Sequence, residues 1–170
     1  LYWADLGVLH SGDHPKDTLF ALKTLVKELH QRNILTIVVG GEQENTLGMF
    51  RGLSGMNTYV NLTSIDARLD FGEPGVLVSD DSYMSKIITE KPNNLKQFTN
   101  LGYQSYYVSQ EELDLMQKLF FDAYRLGDIT ADLHESEPIL RDTDILSVDL
   151  SSVKASELDH PKGLPNGFDG

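Results

Sequence analysis

Cysteine is absent from the 170 residues, which excludes a disulfide framework, a thiolate nucleophile and a zinc-thiolate cluster, and agrees with a reducing cytoplasm. Basic residues are few. Lys and Arg number 14 against 26 Asp and Glu, a formal net charge of -12, and phosphate binding needs clustered cations, so nucleic acid is not an expected partner. No apolar run approaches the ~18 residues of a membrane span. The N-terminus has no basic segment followed by an apolar stretch. The reading is a soluble, cytoplasmic protein with no membrane partner. Histidine is sparse too. Only His10 and His14 of the five are spaced as a ligand pair, and they flank Gly12 in an expected loop, so surface or turn roles suit them better. What is present is 40% hydrophobic content, enough for one respectable core and one globular unit over residues 1–170. There is no internal repeat and no low-complexity stretch.

Apolar runs and helical patterns alternate along the chain. Asp17 or Thr18 caps a helix through about Gln31, with Leu19, Leu22, Leu25, Val26 and Leu29 on one face and Asn33 as a stop. Ile34 to Val39 follows as a β-branched apolar run ending at Gly40-Gly41, the pattern of a strand buried on both faces of a parallel sheet. Tyr59 to Ile65, Tyr103 to Val108 and Ile145 to Leu150 are the other expected strands. Helices are expected over about Asn94 to Leu101, on Leu95, Phe98 and Leu101, and over Tyr83 to Ile88. Another follows the Ser109 and Glu112 capping box, with Leu113, Met116, Phe120 and Tyr124 on one face before Gly127. Strands separated by helices imply right-handed crossovers, hence an α/β fold with helices on both faces of a mainly parallel sheet.

Three segments end strand-like runs in acidic or amide residues: Gly40-Gly41-Glu42-Gln43, Asp66-Ala67-Arg68-Leu69-Asp70 and Ser147-Val148-Asp149-Leu150-Ser151. Open parallel sheets bind ligands outside the carboxyl ends of their strands. An isolated strand-end Asp is most often a helix cap or turn residue. Two aspartates four apart at one strand exit, with a third at another, are less easily explained that way, because clustered carboxylates repel unless a cation compensates.

At these residues the chain resembles the ureohydrolases: arginase, agmatinase and formimidoylglutamase. Residues 40–48 are similar to that family's Gly-Gly-(Asp/Glu)-His-Ser motif, residues 64–70 to Asp-Ala-His-x-Asp, and residues 146–151 to Ser-x-Asp-x-Asp, in the family's order. The resemblance implies a three-layer α/β/α sandwich, two bridged manganese ions, and hydrolysis of a guanidino or formimino group by metal-bound hydroxide. Of the six implied ligand positions, Asp66, Asp70 and Asp149 match. Gln43 and Arg68 replace histidines, and Ser151 replaces an aspartate. The first ion would keep three carboxylates and gain the Gln43 amide oxygen. The second would retain only carboxylates shared with the first, and Arg68 would project a permanent charge towards its place.

Two readings follow. In the first, Arg68 pairs with Asp66 and Asp149 as a counter-ion, the bridging hydroxide is lost, and the chain is a pseudoenzyme with a structural or ligand-binding role. In the second, Gln43, Asp66, Asp70 and Asp149 hold a single ion, and an amidine or guanidino compound is still hydrolysed. That all-oxygen set suits magnesium, calcium or manganese better than zinc. A third alternative, a salt-bridge cluster on an unrelated α/β fold, stays open because short motifs match by chance.

Ser79-Asp80-Asp81-Ser82 either caps the helix after it or occupies the place of the family's substrate loop, and the run from Ser79 to Ile88 resembles formimidoylglutamase more than arginase. Tyr103, Tyr106 and Tyr107 read as packing residues. Asp159-His160-Pro161 and Gly163 to Gly170 are identified with a Pro- and Gly-rich family loop. The chain opens without methionine and stops shortly after the last motif, so a fragment with an incomplete sheet edge is expected. Resemblance also implies a homo-oligomer.

Overall fold

The computed structural model describes residues 2–56, 58–72, 82–158 and 163–170. The expected loop residues Ser79, Asp80 and Asp81 and the Asp159-His160-Pro161 run lie outside the described residues.

The first helix, α1 (Pro15–Gln31), starts earlier than its sequence pattern suggests. Pro15 at the first helical position has no N–H to satisfy. The Asp17 carboxylate reaches back to accept from the His14 backbone N–H at 3.2 Å, so Asp17 serves the cap from inside the helix. At the far end Asn33 takes φ of 56° and stops the helix as expected. Leu19, Leu22 and Val26 are buried against α2 (Asn45–Ser54), a helix the sequence pattern did not reveal. Two glycines one turn apart permit the close approach. A Cβ at Gly52 would lie 2.9 Å from Cβ of Val26, and one at Gly48 3.0 Å from a Leu22 methyl.

Four strands, β1 (Val60–Ile65), β2 (Leu95–Tyr103), β3 (Asp122–Arg125) and β4 (Ile145–Val148), form a wholly parallel sheet in the order β3-β2-β1-β4. Between them run α3 (Tyr83–Thr89), α4 (Gln110–Lys118), α5 (Leu126–Ala131) and α6 (Ser136–Arg141). This is the expected α/β architecture. The core gathers Leu62, Phe98, Phe50, Tyr83 and Met84 from strands and helices alike. No helix among the described residues is long and apolar enough to cross a membrane.

Three elements differ from expectation. Residues 95–101 form β2, not a helix. Leu95, Phe98 and Leu101 mimic a helical face, but Phe98 to Gly102 are all buried between β1 and β3, where a strand satisfies the backbone on both sides. Of the expected strand over residues 103–108 only Tyr103 is in a strand, as the last residue of β2; beyond it the chain turns, with Tyr107 N–H donating to the Gln104 carbonyl at 2.9 Å. The helix after the Ser109 and Glu112 capping box forms, but ends at Lys118, because Phe120 enters the left-handed region at φ of 57° and Tyr124 belongs to β3.

Residues 34–39 form no strand. They were expected to be buried on both faces, yet Val39 is 91% exposed. A β-branched run becomes a strand only against neighbours, and no strand among the described residues pairs with this segment or with the outer edge of β4.

Candidate functional site

The carboxyl ends of β1 and β4 and the turn after residue 39 meet at one rim of the sheet. Gly40 and Gly41, at φ of 89° and 77°, turn the chain into α2. The turn delivers Gln43, whose Nε2 donates to the Tyr83 hydroxyl at 3.4 Å and to Ser147 Oγ at 3.3 Å. Thr46 and Ser147 share a hydrogen bond of 2.7 Å between their hydroxyls, tying α2 to β4. Across the rim, the Asp66 N–H donates to the Leu101 carbonyl at 3.1 Å and the Asp149 N–H to the Ile65 carbonyl at 3.0 Å, so both carboxylates are held where their strands stop.

Asp66 is only 1% exposed. Its Oδ1 accepts from the Arg68 backbone N–H at 2.8 Å, whereas Oδ2 is buried with no hydrogen-bond partner. Burial pushes its carboxyl up to about 6, and the charge of Asp149 adds to this. The Arg68 N–H opposes the rise, as do the nearby Gln43 and Asp70 side chains, which make no well-formed bond to Oδ2. Asp70 is buried in a left-handed turn at φ of 54°, and its carbonyl accepts from the Met84 N–H at 3.2 Å. Asp149 is half-buried; its Oδ1 accepts from the Ser151 N–H at 2.5 Å, opening the single helical turn Leu150–Ser152. Both Asp66 and Asp149 thus act as turn caps, the ordinary role of a strand-end aspartate.

Arg68 does not pair with Asp66 or Asp149, in contrast to the counter-ion expectation. Within Asp66 to Asp70 it is the one exposed residue, and its guanidinium lies 4.7 Å from the centroid of the Tyr107 ring. Its neighbours Ala67 and Leu69 are buried in the core, which leaves the intervening side chain directed outwards.

Several participants carried no recognisable signal of their role. Tyr83 is wholly buried, and its hydroxyl is held well above its usual range by burial and by Asp70, Asp66 and Asp149. Asn100, also wholly buried, donates to Ser64 Oγ at 3.0 Å and to the Arg68 carbonyl at 2.8 Å, while its Oδ1 has no partner. A polar residue between Phe98 and Leu101 was the available clue, hidden because β2 read as a helix.

Among the described residues no group of three or more His, Cys, Asp or Glu is placed to hold a metal ion. The residues present do not fit a bridged pair of ions. The positions that would complete the second are a guanidinium turned onto Tyr107 and a serine whose backbone is already engaged with Asp149. Among the described residues, Asp66 Oδ2 is a fully buried carboxylate oxygen of the cluster without a hydrogen-bond partner.

A parallel α/β sheet with a carboxylate cluster at its strand ends defines the class of fold. The chain belongs to the arginase family, whose sequence model matches residues 2–155. No curated protein matches it. Among solved structures it is similar to Trypanosoma cruzi formiminoglutamase with Mn2+2, at 16% identity and a TM-score of 0.83, covering 94% of this chain and 57% of that one. It is similar to Bacillus subtilis formimidoylglutamase at 14% identity and a TM-score of 0.77, over 92% of this chain and 52% of that one. A quadruple mutant of the Trypanosoma brucei arginase-like protein matches at 15% identity and a TM-score of 0.71, over 97% of this chain and 52% of that one. The chain thus spans little more than half the length of these relatives.

Proposed function

We propose that this chain is a non-catalytic member of the arginase family, in which the carboxylates that would bridge two metal ions serve instead as turn caps in a polar cluster. The observation that carries this reading is the outward Arg68, stacked on Tyr107, with Ser151 at the other altered position. Without two ions sharing a water, the main source of a nucleophile at neutral pH is missing. The role left to the site is structural or ligand-binding, in the cytoplasm and within a homo-oligomer.

The quadruple mutant of the T. brucei arginase-like protein supports the comparison. It changes three serines to aspartate and one arginine to histidine, and the arginine stands two residues from each of two of those serines. Asp66, Arg68 and Asp70 have that spacing.

A second reading rests on Asp66 Oδ2. A buried carboxylate oxygen without a partner is a place for one hard cation, with Gln43, Asp70 and Asp149 as further donors. A single manganese, magnesium or calcium ion there would polarise a linear amidine such as formimidoylglutamate.

The deciding experiment measures manganese per chain in the full-length protein after loading and removal of free ion, beside turnover of formimidoylglutamate, agmatine and arginine. Fewer than two ions and no turnover are expected, with metal content rising in an Arg68→His, Ser151→Asp variant. Two ions and turnover in the unaltered protein would overturn the reading.

A further inference from the structure

We propose that a second cleft, at the carboxyl ends of β2 and β3, binds a small oxyanion: the carboxylate or phosphate group of a metabolite with a flat body. The cleft encloses about 540 Å³, a volume within the range of small-molecule sites. Arg125, the last residue of β3, lines it together with Gln104, Tyr106, Lys154, Asn166 and Asp169.

Charge is the first argument. In a chain of net charge -12, this lining carries two cations against one carboxylate. Lys154 and Asp169 are ion-paired with each other. That leaves Arg125, whose side chain makes no hydrogen bond or ion pair among the described residues. An unpaired guanidinium is a planar fork for carboxylate or phosphate.

The walls are built and not incidental. One is the turn after β2, anchored by the Gln104 N–H to the Ala67 carbonyl at 3.0 Å. It places Tyr106, 90% exposed, on the lip of the cleft, and Tyr107 under Arg68. The other is the run from Leu164 to Asp169, pinned by the pairings Lys154 with Leu164 and Val153 with Phe168. Gly167 allows the close approach, since a Cβ there would lie 2.4 Å from the Ser152 carbonyl oxygen. Gln104 joins the two walls, its Nε2 donating to the Asn166 carbonyl at 3.0 Å. The same turn therefore touches both the cleft and the segment from Asp66 to Asp70.

The test is calorimetric titration of the full-length protein with inorganic phosphate and with benzoate. Saturable binding of at least one is expected, weakened at least tenfold by Arg125→Gln and unchanged by Arg32→Gln, which removes an exposed arginine from α1's end. Binding of phosphate alone identifies a phosphorylated ligand; binding of benzoate, weakened further by Tyr106→Ala, identifies an organic acid. Both side chains are exposed, so folding should survive, and circular dichroism checks it. Absence of saturable binding of either probe up to roughly 10 mM, or equal loss in Arg32→Gln, would overturn the proposal.

Discussion

Replacing Asp66 by asparagine should stabilise the protein at neutral pH and flatten its response to acid. The native carboxyl is raised from 3.8 to about 6, chiefly by burial. Each pH unit corresponds to about 1.4 kcal/mol, so ionising Asp66 in the folded state costs about 3 kcal/mol more than in the unfolded chain. The sign follows from proton uptake. Between about pH 4 and 6 the native protein holds a proton that the unfolded chain releases, so this group's penalty is absent at low pH, grows as pH rises through about 6, and is constant above. Asparagine keeps the carbonyl oxygen that accepts from the Arg68 N–H and replaces the orphaned oxygen with a donor facing the Asp70 and Asp149 carboxylates. Urea unfolding in the presence of a chelator, from pH 4 to 7.5, reads both effects. The variant should gain up to about 3 kcal/mol at pH 7.5, some 6–12 °C in melting temperature for a chain of this size, and almost nothing at pH 4. A variant that is equal to or weaker than the parent at pH 7.5, with the parent's pH profile intact, would refute the argument that burial of an unpaired charge governs this site.

Asn100→Ala should destabilise by about 2 kcal/mol, since it strands the Ser64 hydroxyl and the Arg68 carbonyl in the interior; denaturant unfolding measures it, and a change under about 0.5 kcal/mol would show that the network is not maintained. Gly52→Ala sets a methyl group 2.9 Å from Val26 and 3.0 Å from the Lys23 carbonyl, so α1 and α2 must separate. A loss of about 1–3 kcal/mol is expected, and unchanged stability would mean that the helix pair shifts freely.

The amino-acid sequence alone determined the alternation of elements, the parallel character of the sheet and the positions where Asp66, Asp70 and Asp149 leave their strands, because these follow from local periodicity and from strand-end chemistry. β1, β4 and the capping box at Ser109 were legible for that reason. β2 was not. Its apolar residues fall three apart, and only the presence of strands on both flanks makes the extended form the one that satisfies the backbone. Residues 34–39 show the converse: composition marks them as a strand, but whether they form one and become buried is decided by which neighbours pair with them. At the candidate site the residue types were plain from the motifs, whereas the direction of Arg68 was not. A permanent charge amid three carboxylates suggests an internal counter-ion. Tertiary structure turned it outward, since Ala67 and Leu69 occupy the core on either side and the turn after β2 brings the Tyr107 ring beneath the guanidinium. Side-chain direction in a loop depends on what packs around it, and that information lies some 40 residues away in the chain.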